Sequence, residues 1–278
     1  YRIVAVTSPL GKDVLVFKHL VGQEGLSQLF DYRVELLSEN YNIEFNELLG
    51  KTLTIELETE DGEKRYIHSH ISHFSYTEHS DRYATYQATL RPWLWFLTNA
   101  TNSRIFQNQK ADEIITEIFK EHSFSYFELS LNRTNPAREY CVQYNETDFD
   151  FVNRLMEEEG MYYYFQHSSS KHTLVITDDI SSHTNVGDVL YYPPGQLRRD
   201  EQHITHWHVN TQVRPGQYVS NSFDYTAPGK ALESRNKKPA PHEQSDKEMY
   251  HYPGNYTDLS DGDVYARIRL EELQSITE

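Results

Sequence analysis

Apolar residues alternate with polar ones, or run continuously, over residues 2–6, 14–20, 32–37, 52–57, 64–76 and 82–90. This period of two predicts six consecutive strands in the first third of the chain. Asp61-Gly62 between two of them is a tight-turn signal. Ile43 to Leu49 reads as one helical turn closed by Gly50. Six antiparallel strands within residues 1–97 predict a small barrel or sandwich.

The period then changes. Ile114, Ile115, Ile118 and Phe119 recur at helical spacing and predict a helix over 111–122. Residues 138–165 carry the most explicit local signals. Tyr140, Val142 and Tyr144 alternate with Cys141 and Gln143, a strand pattern. Thr147 followed by Asp150 is a capping-box pattern. Phe151, Val152, Leu155 and Met156 then form one apolar helical stripe, and Gly160 stands where a left-handed cap ends a helix. Residues 161–165 and 172–177 follow as strands. Glu157, Glu158 and Glu159 crowd the carboxyl end of that helix, where the backbone dipole is already negative. They are expected to meet basic side chains, in this section or at a subunit boundary, with Arg154 one candidate. The alternative is a solvated acidic face.

Strand patterns return over 190–192, 203–213, 217–225 and 247–252, punctuated by Pro193-Pro194-Gly195, Pro215-Gly216 and Pro228-Gly229. Residues 230–246 are polar and proline-containing and read as a long mobile loop. Residues 261–274 read as a closing helix with Ala266, Ile268 and Leu270 supplying apolar surface. The expected fold class is therefore mainly β with an α/β insert: a first β domain over 1–97, the insert over 98–180, and a second β domain over 181–278.

Composition narrows the function classes. A net charge of −16 over 278 residues disfavours nucleic acid and anionic membrane surfaces as partners. No apolar run is long enough to span a bilayer, and no signal peptide is visible, although a chain starting at Tyr1 leaves its true start open. Cys141 is the single cysteine, which excludes an intrachain disulfide framework and reads as a small packing residue. Twenty-one Tyr and 13 Phe supply much of the burial that a hydrophobic fraction of 37% would otherwise lack.

Catalytic grammar is sparse. Nucleophile elbow, phosphate loop, dinucleotide fingerprint and zincin motif are all absent from the sequence. His203, His206 and His208 form an H-x-x-H-x-H run, yet on a strand only His206 and His208 share a face. His68, His70 and His73 lie similarly close. A zinc site needs three or four convergent ligands, so the expectation is no metal, no cofactor and no catalytic residue. The pairs Asp178-Asp179 and Glu271-Glu272 would matter only if they faced each other across a cleft, as in a glycosidase. Tyr162, Tyr163 and Tyr164 read as half core and half interface rather than as a sugar platform.

Several longer segments together resemble one family. They are Arg91-Pro-Trp-Leu-Trp-Phe-Leu97, Ser103-Arg-Ile-Phe-Gln-Asn108, Arg138-Glu-Tyr-Cys-Val-Gln-Tyr144, Glu157-Glu-Glu-Gly-Met-Tyr-Tyr-Tyr-Phe165 and His172-Thr-Leu-Val-Ile176. With Leu29-Phe30-Asp31-Tyr32 and Leu48-Leu49-Gly50-Lys51, they are similar in order and spacing to the VgrG spike proteins of bacterial type VI secretion. The resemblance implies two small antiparallel β-barrel domains of the phage tail-hub type, and a homotrimer with pseudo-sixfold symmetry seated on the hexameric Hcp tube. It implies a non-enzymatic puncturing spike that contacts baseplate components, carries effectors, and is assembled in the cytoplasm before ejection. The family continues into a needle that meets a PAAR tip protein, so this sequence is expected to be a piece of a longer protein. His203, His206 and His208 match no motif of the family. The alternatives are a cell-wall glycan hydrolase and a monomeric binding module.

Overall fold

In the computed structural model the alternating segments pair as one antiparallel sheet. The structure describes residues 3–59, 62–80, 82–185, 187–193, 195 and 203–275. Arg2, Asp61 of the expected turn and Pro194 lie outside the described residues. The sheet comprises β1 (Val4–Thr7), β2 (Val16–Gln23), β3 (Asp31–Ser38), β4 (Thr52–Glu58), β5 (Lys64–His79) and β6 (Ala84–Arg91). Their order is β1-β4-β5-β6-β3-β2. The end strands β1 and β2 come back into contact, so the sheet curls towards a barrel. Its concave side is filled by Phe30, Val34, Leu36, Leu53, Ile55, Ile71, Tyr86 and Leu90. Bulges in β5 between Ile71 and His73, and again between Tyr76 and Glu78, break strict alternation and bend this long strand.

Two compact units divide the chain: residues 1–156 with 161–184, and residues 157–160 with 185–278. The first unit therefore contains the six-stranded sheet and a mixed α/β layer. In that layer β7 (Thr101–Phe106) pairs antiparallel with β9 (Cys141–Thr147), and β8 (Phe127–Ser130) lies parallel to β11 (His172–Thr177), which pairs with β10 (Tyr162–His167). Helices α1 (Ala111–Glu121) and α2 (Asp148–Glu159) bury Ile114, Ile115, Ile118, Phe119, Phe151, Val152, Leu155 and Met156 against Trp93, Tyr163 and Leu174. The caps of α2 form as its sequence specifies. Thr147 Oγ1 accepts from Asp150 N at 3.0 Å. At the other end Gly160 has φ +70°, Gly160 N donates to Glu157 O, and Met161 N donates to Met156 O. This bond pair is a Schellman ending.

In the second unit β14 (Gln217–Ser220) lies between β15 (Ser234–Lys237) and β16 (Glu248–His251), antiparallel to the first and parallel to the second. Helix α3 (Leu259–Ser275) packs on β14 and β15 through Gly262, Ala266 and Leu270, one face at i, i+4 and i+8. The Tyr256 hydroxyl lies 2.9 and 2.6 Å from the carbonyl oxygens of Ser220 and Leu232. A Cβ on Gly262 would stand 2.4 Å from the Tyr256 ring, so glycine here lets the helix close on that ring.

Three expectations change. The 230–246 segment contains β15, because Leu232 and Ser234 are buried and Ser234 Oγ donates to Asp263 at 2.5 Å. The 203–213 pattern yields only β13 (His203–Ile204), which pairs with β12 (Leu190–Tyr191). Residues 205–215 carry no regular element, since alternation makes a strand only where a neighbour accepts its hydrogen bonds. The 217–225 strand stops at Ser220 for the same reason.

Candidate functional site

Two kinds of feature stand out: apolar surface facing outward and polar groups buried inward. The β7–β9 pair shows the first. Register places Ile105 opposite Val142 and Ser103 opposite Tyr144. These side chains, with Tyr140 beside them, face solvent, Tyr144 at 78% exposure. The inward face carries Cys141, Gln143, Arg104 and Phe106 instead. The strand is thus turned with its aromatic face outwards, because its small and amide side chains are needed inside. In the second unit β16 is an edge strand with Met249 and Tyr250 exposed, and Trp207, Val209 and Val213 are exposed in the 205–215 segment. Unpaired edges and exposed aromatics are features of surfaces that another chain covers.

The first buried group centres on Asp148, the first residue of α2. Its carboxylate accepts from Arg104 at 2.8 Å, Gln143 Nε2 at 2.7 Å and His122 Nε2 at 2.7 Å. Arg104 also donates to Gln143 Oε1 at 2.8 Å and pairs with Glu121. Burial alone would raise the Asp148 pKa; the bonds from Gln143 and His122 and the Arg104 charge outweigh it and hold the carboxyl below its usual range. The arrangement ties β7, β9 and α1 to the start of α2. Each of its bonds joins one element to another, which is a structural role.

The second group is a histidine cluster. His68 on β5 and His172 at the start of β11 are both buried, with Nδ1 atoms 3.0 Å apart. Trp93 N donates to His172 Nε2 at 2.9 Å. His70 Nδ1 donates to Gly50 O at 3.1 Å. His167 Nε2 lies 3.0 Å from Glu24, which also accepts from Tyr32. Burial, then neighbouring imidazoles, pushes His68 down to about 4, and His172 is lowered for the same reasons.

The sequence candidates separate clearly. His206 and His208 stack at 6.4 Å on an exposed run, and His203 lies against Tyr192. Among the described residues no three His, Cys, Asp or Glu side chains converge as metal ligands. Asp178 accepts from the backbone of Asn132 and Arg133, and Asp179 caps a short turn through Ser181 N. Glu272 pairs with Arg269 at 2.7 Å. These carboxylates hold loops and a helix rather than a cleft. Tyr163 is buried, while Tyr162 and Tyr164 flank His183 at ring distances of 5.6 and 4.7 Å. Cys141 is buried. Arg154 pairs with Glu146 at 2.6 Å. Burial would lower the Arg269 pKa, but the bond and charge of Glu272 raise it and the Glu158 charge adds to them, while Glu159 is buried and accepts from Tyr265 at 3.3 Å. Arg269 and Tyr265 of α3 therefore face this acidic helix end. Sequence reasoning missed Asp148 and the pairing of His68 with His172; the position of Asp148 beside a helix cap was the only local signal.

The chain belongs to the phage tail baseplate hub family, whose model matches residues 23–278. Its similarity is to the spike proteins of type VI secretion in particular. It is 44% identical over 277 residues to the spike protein VgrG1b of Pseudomonas aeruginosa, covering 99% of this chain and 37% of that protein. VgrG1a of the same organism is 43% identical over 277 residues, 99% of this chain and 43% of its own length. The chain thus spans about two fifths of the length of these relatives. Among solved structures, the E. coli c3393 protein is described as a component of the type VI secretion system similar to T4 tail proteins gp27 and gp5. It superposes with TM-score 0.58 at 27% identity, over 65% of this chain and 50% of that one. A tail protein from Neisseria meningitidis superposes with TM-score 0.67 at 13% identity, over 98% and 76%, and shows the shared fold. The fold is mainly β and of the phage tail-hub type.

Proposed function

We propose that this chain is the hub portion of a type VI spike. Three copies close a ring that seats on the hexameric Hcp tube, and the assembled spike carries effectors into target cells. In this reading residues 1–97 and 181–278 supply two β-barrel domains of like architecture around the insert 98–180. Three chains then present six barrels to a sixfold tube. The observation that carries the reading is 44% identity with a spike protein across nearly the whole chain. The outward faces at Ile105, Val142 and Tyr144, and at Met249 and Tyr250, support it, because closure of a ring covers such surface. Baseplate components and a PAAR tip protein are further partners in the same scheme, with assembly in the cytoplasm preceding ejection. The role assigned is mechanical. A Vibrio cholerae relative named as an actin cross-linking toxin is matched over only 25% of its own length, and its name describes that protein.

The test is co-purification of the full-length protein with the tube subunit of the same secretion system. Retention of the tube subunit through size exclusion is expected. A tube subunit that elutes separately at micromolar concentrations of both overturns the reading.

A further inference from the structure

His68 and His172 meet where the β10–β11 hairpin tip lies on the outer side of β5. Their hydrogen bonds determine where each proton sits. The Trp93 N–H occupies His172 Nε2, so neutral His172 carries its proton on Nδ1. That proton points at His68 Nδ1 across 3.0 Å, so His68 accepts there and carries its own proton on Nε2. Both lone pairs of the pair are used. A second proton on His68 would set two N–H groups against each other at 3.0 Å. A second proton on His172 would face the Trp93 N–H at 2.9 Å.

The neighbours relieve little of this. His70, whose ring is 6.4 Å from His68 and 5.7 Å from His172, donates to Gly50 O. Phe30 and Phe165 pack against His172 and add no charge. The carboxylate of Glu24 is engaged by His167 and by Tyr32, with Arg65 acting on it by charge. His167 Nδ1 accepts from His68 N at 3.1 Å and lies 3.0 Å from His68 O. The His68 backbone also bonds His172, the weakest of the influences on that ring and the one that opposes the others.

We propose that the His68–His172 pair is an acid-sensitive latch that holds the β10–β11 hairpin tip on β5 when neutral and releases it when protonated. The remaining tip contacts include the His68–His167 bond, the His167–Glu24 contact at 3.0 Å and the 3.4 Å bond from Thr54 Oγ1 to Ser169 O. Release is local, because the α/β core beneath the hairpin is held independently by Leu174, Ile176 and Tyr163.

The sign follows from linkage. Each folded pKa lies below the open-state value of 6.5, so the latch is fully closed above that pH and weakens as pH falls from 6.5 towards about 4. At pH 5.5 each histidine favours the open form by about tenfold, and the pair by about one hundredfold.

Hydrogen exchange of the full-length protein by mass spectrometry, corrected for the intrinsic pH dependence of exchange, tests this. Between pH 7.5 and 5.5, peptides covering 164–173 and 64–70 are expected to lose ten- to one-hundredfold of their protection, while peptides from β3 change less than threefold. Equal loss in β3 and the hairpin, or no loss in either, overturns the latch. His68→Asn keeps an acceptor facing His172 but cannot be protonated, and should reduce the loss to about tenfold. The wild-type slope in that variant also overturns the proposal. The wild-type comparison stands alone if the variant does not fold.

Discussion

Replacing Asp148 with alanine removes the acceptor that three side chains share. Arg104 retains Glu121 and the Gln143 oxygen, and the Gln143 amide keeps Glu146 O at 3.2 Å, but His122 loses the Asp148 carboxylate. Removing one member of a buried ion pair costs about 3–5 kcal/mol. The partial rescue of Arg104 places the expected loss near the lower end, about 3 kcal/mol. With a urea slope of about 2 kcal/mol/M the midpoint should fall by about 1.5 M. The assay is urea unfolding followed by tryptophan fluorescence in a Trp207→Phe background, so that Trp93 and Trp95 report the first unit alone. Asp148→Asn, which keeps one acceptor oxygen, should lose about half as much. The low folded pKa of Asp148 means its stabilisation is present above the unfolded value of 3.8 and is lost as pH falls below it. The wild-type and alanine curves should therefore converge in acid. A midpoint shift below about 0.5 M at pH 7, or a gap that does not narrow as pH falls below 3.8, refutes the buried-network account.

Other outcomes follow from single contacts. Gly262→Ala places a Cβ 2.4 Å from the Tyr256 ring, so overpacking of about 1–3 kcal/mol should outweigh a helix-propensity gain of about 1 kcal/mol. A circular-dichroism melt that rises would count against that packing. Thr147→Ala should cost about 1 kcal/mol through loss of the α2 cap, read as a urea midpoint shift. Val142→Ser with Tyr144→Ser should leave stability within about 0.5 kcal/mol while weakening self-association on sedimentation, since both side chains face outwards.

Legibility from the sequence depended on how local the cause was. Helix α2 could be read from Thr147 to Gly160 because cap, stripe and terminator all lie within one segment. The strands around Leu53, Ile55, Tyr86 and Leu90 were equally plain, since alternation there meets a sheet with one filled face. Alternation alone could not say which face of Cys141–Thr147 turns inwards; Arg104 and Asp148 decide that. The 203–213 pattern is strand-like by composition, yet pairing depends on a neighbour the pattern cannot specify. The two buried polar groups were invisible for the same reason. His68 and His172 are 104 residues apart, and His68 is buried because the β10–β11 hairpin covers the outer side of β5.

The central claim is that the chain acts as part of a closed ring of identical subunits. Sedimentation equilibrium of the intact full-length protein tests it most directly. The account predicts a mass of three copies that persists on dilution to low micromolar concentration. A stable monomer at that concentration would contradict it.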